Sequence, residues 1–211
     1  KETFKNKTNF VNTGSPRIDL LDRKLYQKNK SRFLKKFDLK KYILIPTNIS
    51  FPIGLRRIAD SYFGFMSDSN NINFVWKEDY FFEKNLQQLA LLKHFIRMIR
   101  FLIQNQKKYS IVLRPHPNEK VEDWEKLIDI KNRNFKIIKD GYLSEFITNS
   151  ECIVQNGCTS SIEAKILNKK VISFEPIKFK LDYDKGLMNK LGKICKTNKE
   201  VLNGINSKKA I

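Results

Sequence analysis

The chain has 211 residues, of which 41% are hydrophobic and 12% aromatic, with 41 Lys and Arg against 22 Asp and Glu for a formal charge of +19. Sixteen Phe, seven Tyr and two Trp give it bulky groups to bury, which excludes wholesale disorder. Only 8 Gly, 6 Pro and 3 Cys exclude a collagen-like, low-complexity or disulfide-stapled chain, and the length suits one full domain with additional elements.

Residues 1–40 hold 12 basic and 4 acidic side chains and read as a basic N-terminal segment, a linker or the remnant of a missing N-terminal domain. Lys1 to Phe10 lacks the apolar core and cleavage site of a secretory signal, and the chain does not begin with methionine, so a processed chain or a piece of a longer protein is expected. Tyr42 to Pro46 (YILIP) is a short apolar run ending at Pro46, Thr47 and Asn48, the pattern of a buried strand feeding a loop. Glu83 to Gln104 reads as a helix. Its apolar part, Leu86 to Ile103, is interrupted by Lys93, His94, Arg97 and Arg100 and is no membrane span; His94 reads as a surface or interface residue.

Further strands are read at Ser110 to Leu113, Phe135 to Ile138, Cys152 to Gln155 and Val171 to Phe174, and helices at Val121 to Ile128, Leu143 to Thr148 and Ser160 to Leu167. Continuous apolar runs alternating with helices predict an α/β fold, a Rossmann-like parallel sheet with helices on both faces, over residues 41–176. Residues 177–211, with 9 basic and 3 acidic side chains, read as a basic C-terminal extension. Basic ends attract nucleic acid, anionic lipid or a phosphorylated substrate; equally, Lys, Asn and Ile abound throughout, and charge of compositional origin is solvated surface. No nucleic-acid fold motif is recognisable, so nucleic acid is not expected as the partner, whereas peripheral contact with an anionic membrane is.

In a parallel sheet ligands bind beyond the carboxyl ends of the strands, so the loops there carry the functional reading. Arg114-Pro115-His116-Pro117 follows the second strand; its prolines deny it a helix and present a multi-donor guanidinium and an imidazole from a stiff turn. The segment from Asn156 and Gly157 through Cys158, Thr159, Ser160 and Ser161 to Glu163 follows the fourth strand. It reads as a tight turn into a helix start that Thr159, Ser160 or Ser161 can cap, with amides and hydroxyls forming an anion cradle, or as a plain capping box of Ser160 and Glu163. Cys158 reads as packing or as a nucleophile without an evident base. Glu175, between Phe174 and Pro176, is either solvated or a hydroxyl-binding group.

There is no GxGxxG and no Walker lysine motif. Cys152, Cys158 and Cys195 form no CxxC pair, and with two histidines no zinc-type ligand set exists, so no metal and a reducing, cytoplasmic setting are expected. Asp182-Tyr183-Asp184 is an Asp-x-Asp pair, read as solvated surface.

Thr13-Gly14-Ser15-Pro16-Arg17-Ile18-Asp19-Leu20-Leu21, Pro46-Thr47-Asn48, Arg114-Pro115-His116-Pro117, Asn156 to Ala164 and Lys169 to Phe174, in this order, resemble surface-carbohydrate biosynthesis proteins of the GT-B type. Relatives in that group include capsule Kdo transferases, bacterial sialyltransferases with a His-Pro motif and glycerophosphotransferases using CDP-glycerol. The resemblance implies the C-terminal, donor-binding half of a GT-B glycosyltransferase that is metal-independent and needs no cofactor beyond its nucleotide-sugar donor. It further implies a carbohydrate or lipid-linked acceptor, and a second half supplied by a longer chain or a partner chain. His116 and Arg114 would hold the donor phosphate, Thr159, Ser160 and Ser161 would support it, and Glu163 would meet ribose hydroxyls. Transfer of glycerol phosphate, sugar-nucleotide 2-epimerisation and non-enzymatic binding by a basic module are the alternatives.

Overall fold

A computed structural model describes residues 30–49, 74–178 and 186–207, together with Ile18, Leu21 and Tyr62. The motif at residues 13–21, apart from Ile18 and Leu21, and Asp182-Tyr183-Asp184 lie outside the described residues. Six strands form one sheet: β1 (Tyr42–Pro46), β2 (Ser110–Arg114), β3 (Phe135–Ile137), β4 (Cys152–Gln155), β5 (Lys170–Phe174) and β6 (Lys193–Cys195). The spatial order is β3-β2-β1-β4-β5-β6 and every pairing is parallel. This is the doubly wound order whose direction of winding reverses between β1 and β4.

The strands are apolar on both sides because both sides are covered. Ile43, Ile45, Ile111, Leu113, Val154 and Phe174 pack under α2 (Phe74–Asn105), α3 (Val121–Ile128) and α7 (Asn198–Asn206). The alternate residues Tyr42, Leu44, Val112, Ile153 and Val171 pack under α1 (Lys30–Lys36), α4 (Leu143–Asn149) and α5 (Ser160–Ile166). Leu91, Phe95, Met98, Ile99 and Leu102 recur at helical spacing and give α2 its buried stripe. The Tyr42 hydroxyl lies in the second core and donates to the Phe146 carbonyl at 2.7 Å; burial raises its pKa.

Two differences from the sequence reading have physical causes. Helix α2 begins at Phe74, nine residues before Glu83, in an aromatic stretch of modest helix propensity. Tertiary packing holds it: Phe81 is buried with its ring 5.3 Å from that of Tyr62, whose hydroxyl donates to Glu78 at 2.8 Å. The sheet also continues past Phe174, because residues 186–207, read as a basic extension, contribute α6 (Gly186–Lys190), β6 and α7. Strand β6 has three residues and begins with lysine, too short to show in a hydrophobic pattern. Gly192 permits its entry: a Cβ there would lie 2.6 Å from the Val171 carbonyl oxygen.

Candidate functional site

A cavity of about 430 Å³ opens at the carboxyl edge of the sheet, where the winding reverses. Pro46 and Thr47 line it from the end of β1, Arg114 through Pro117 from the end of β2, Lys139 and Leu143 from the β3–α4 connection, and Cys158 and Thr159 from the loop after β4. The Arg-Pro-His-Pro turn and the turn before α5 therefore converge on one space. Glu175, in the loop after β5, is not among the lining residues, and its amide donates to the Cys195 carbonyl at 2.8 Å. His94 is half-buried on α2 away from the cavity, its pKa lowered by burial and by Lys93 and Arg97.

The His116 loop is organised by a carboxylate that the sequence reading passed over. Glu119 accepts from the Thr47 hydroxyl, from Trp124 Nε1 at 2.7 Å, from the Ile49 amide at 2.8 Å and from the His116 amide at 3.3 Å. It thereby ties the loop after β1 to the loop after β2. The Asn118 amide donates to His116 Nδ1 at 3.3 Å, so the neutral imidazole carries its proton on Nε2, which has no partner among the described residues. His116 reaches the cavity as a hydrogen-bond donor.

Arg114 is chiefly a brace. Its guanidinium donates to the Asp140 carbonyl at 2.8 Å and to the Gly141 carbonyl, and its Cζ stands 4.7 Å from the centre of the Phe146 ring. Burial pulls its pKa down, opposed by Asp140, Tyr42 and Glu145. Part of the fork expected to face a phosphate is thus committed to the β3–α4 turn. The second cation at the cavity is Lys139, an exposed residue whose Nζ donates to the carbonyls of Pro117 at 2.8 Å and Glu119 at 2.7 Å and keeps a third proton to donate. The signal for Lys139 in the sequence is its position just past the carboxyl end of β3, where ligands of a parallel sheet bind.

The opposite wall is built differently. Gly157 turns with φ of +60°, and its amide donates to Asn189 Oδ1 at 2.6 Å. The Asn156 side chain donates to the Phe174 carbonyl at 2.6 Å, and Gln155 accepts from the Cys158 amide at 2.8 Å. The amides of Ser161 and Ile162 bond back to Cys158 and Thr159. Of the cradle amides, those of Asn156, Thr159 and Ser160 lack an acceptor among the described residues, a smaller cradle than the sequence suggested.

Nor does Ser160 cap the helix. Thr159 holds the N-cap position without a side-chain bond, and Ser160 begins the helix proper, one residue too late. Ser160 and Ser161 are fully buried and Glu163 nearly so, and none of the three lines the cavity. The Ser161 hydroxyl donates to the Cys158 carbonyl at 2.8 Å, whereas Ser160 Oγ has no partner among the described residues. Cys158 is partly exposed; Cys152 and Cys195 are buried, and burial pushes the Cys152 thiol up to about 12. Among the described residues no group of three or more His, Cys, Asp or Glu is placed to hold a metal ion, and no helix is long and apolar enough to cross a membrane.

No family model and no curated protein sequence matches the chain. Among solved structures it is similar to the Methanocaldococcus jannaschii UDP-GlcNAc 2-epimerase in complex with UDP-GlcNAc and UDP, at 18% identity and a TM-score of 0.51 over 94% of this chain and 48% of that one. Two structures of the wall teichoic acid polymerase TagF align at lower TM-scores, 0.42 with 19% identity and 0.44 with 16% identity, each over 93% of this chain and 42% of the polymerase. The chain thus spans about half the length of these proteins, and its six-stranded parallel sheet has the Rossmann-like fold of one half of a GT-B-type protein.

Proposed function

We propose that the chain is the donor-binding half of a glycosyltransferase of surface polysaccharide synthesis, taking a sugar from a nucleotide-activated donor. The observation that carries this reading is the convergence of His116, Lys139 and the turn at Cys158 and Thr159 on a single cavity at the winding reversal. The cavity has no acidic lining residue, and two cationic residues and an imidazole donor line it, which suits a pyrophosphate or monophosphate. The order of the Arg-Pro-His-Pro and Asn-Gly-Cys-Thr-Ser-Ser segments supports the carbohydrate assignment.

The chemistry is stabilisation of a leaving group. As the bond between sugar and phosphate breaks, negative charge grows on the phosphate oxygens, and fixed donors aimed at them lower the barrier. His116 Nε2 and Lys139 Nζ supply such donors, and loss of one lowers the rate by roughly 10² to 10³. The acceptor and its activating base belong to the second half of the cleft.

Calorimetric titration with CMP, CDP, UDP and GDP tests the reading. One of them binds, and Lys139→Met and His116→Ala each weaken it by about tenfold, the loss of one charge-assisted hydrogen bond. Absence of binding at millimolar nucleotide, or binding indifferent to both substitutions, ends it. The same phosphate-facing groups serve glycerol phosphate transfer and 2-epimerisation; product mass identifies the first, and turnover of the donor without acceptor identifies the second.

A further inference from the structure

The edge of the sheet opposite the cavity gathers cations that the sequence keeps far apart. Lys40 and Lys41 precede β1, Lys107 and Lys108 precede β2, and Lys131 and Arg133 precede β3. All six are exposed, and these strands are adjacent. The Ser110 amide donates to the Lys41 carbonyl at 2.9 Å and the Ile111 amide to the Asn134 carbonyl at 2.7 Å, so the three entry segments stand side by side. Each is held in shape: Gln106 accepts from the Lys108 amide at 2.8 Å, and Asn132 accepts from the Asn134 amide at 2.8 Å.

Neighbouring strands lie ~4.8 Å apart, so the outer pairs are separated by about 10 Å. That is close to one Debye length at physiological salt, and the six charges act as one patch. The exposed carboxylates beside them are Asp129, Glu151 and Asp38, the last paired with Lys136 at 2.7 Å and also lying in the field of Lys40. Lys108 Nζ stands 4.9 Å from the centre of the half-buried Tyr109 ring, and Phe135 is also half-buried. No described aromatic residue at this edge is exposed as a platform for nucleobases, so what it recognises is charge laid out on a surface rather than stacked bases.

We propose that the amino edge of the sheet, where Lys40, Lys41, Lys107, Lys108, Lys131 and Arg133 are gathered, docks on an anionic phospholipid bilayer. The cavity lies at the far ends of the strands, so docking leaves it open, and the proposal stands or falls independently of nucleotide binding.

Flotation of the full chain with phosphatidylcholine vesicles, with and without phosphatidylglycerol, tests it. The chain floats with the anionic vesicles only and is released by salt. Joint replacement of Lys40, Lys41, Lys107 and Lys108 by Glu lowers the bound fraction at least about tenfold. The same change of charge at Lys178, Lys190, Lys196 and Lys199, away from that edge, leaves most of it. Circular dichroism and thermal melting of both variants verify that the fold is kept. Equal loss in the two variants, no binding to anionic vesicles, or binding to a duplex RNA or DNA fragment without vesicle binding overturns the proposal.

Discussion

The two walls of the cavity are tied together by unlike hydrogen-bond networks. The wall after β1 and β2 is knotted by one carboxylate, Glu119, which accepts from two amides, an indole and a hydroxyl. The wall after β4 is knotted by neutral amides, Gln155 and Asn189, which hold the Gly157 and Cys158 amides and reach Ser173 on β5. The first presents positive and proton-donating groups to the cavity, and the second the thiol of Cys158 and the hydroxyl and amide of Thr159. Charge for a ligand therefore comes from one side, with its counter-charge held behind the loop rather than in the cavity.

Breaking the two knots measures that difference. Glu119→Ala leaves the buried Trp124 indole and the Ile49 amide without an acceptor, while the His116 amide keeps Thr47 Oγ1 at 3.2 Å, and a loss of roughly 3 kcal/mol is expected in denaturant unfolding. Gln155→Ala removes a fully buried neutral amide, with an expected loss of about 2 kcal/mol by the same measurement. Equal losses would mean that the charge on the first knot adds nothing. Thiol labelling of the native chain sharpens the comparison further: Cys158 reacts first, with Cys152 and Cys195 protected until unfolding, and a bound nucleotide slows it severalfold. The smallest effect is expected at Ser160, whose buried hydroxyl has no partner among the described residues. Ser160→Ala changes stability by less than about 1 kcal/mol, in the favourable direction, because no hydrogen bond is lost and an unpaired polar group is removed.

The alternation of apolar runs and helices made the fold class legible, since burial on both faces writes itself as unbroken Val, Ile and Leu. Strand β6 was not legible, because a three-residue edge strand owes its place to the neighbour it pairs with. At the site, Arg-Pro-His-Pro and Asn-Gly-Cys-Thr were visible as loops after strands, and both reach the cavity. Glu119 and Lys139 were not, since a carboxylate and a lysine in a loop look like solvated surface until the fold supplies their partners. Ser160 shows the opposite failure: S-x-x-E is the spacing of a cap, but the chain entered the helix one residue earlier and turned the hydroxyl inward.

Arg114 clasps two carbonyls of the neighbouring turn while lying on the Phe146 ring, whose other neighbours are Phe33 and Phe37 of the α1 segment. A lysine would keep the charge yet lose the planar two-pronged grip, so this position tolerates no simple exchange of one cation for another. The first residue of the Arg-Pro-His-Pro string consequently reports the scaffold under the pocket, and a ligand arriving there meets a guanidinium already oriented by its own chain.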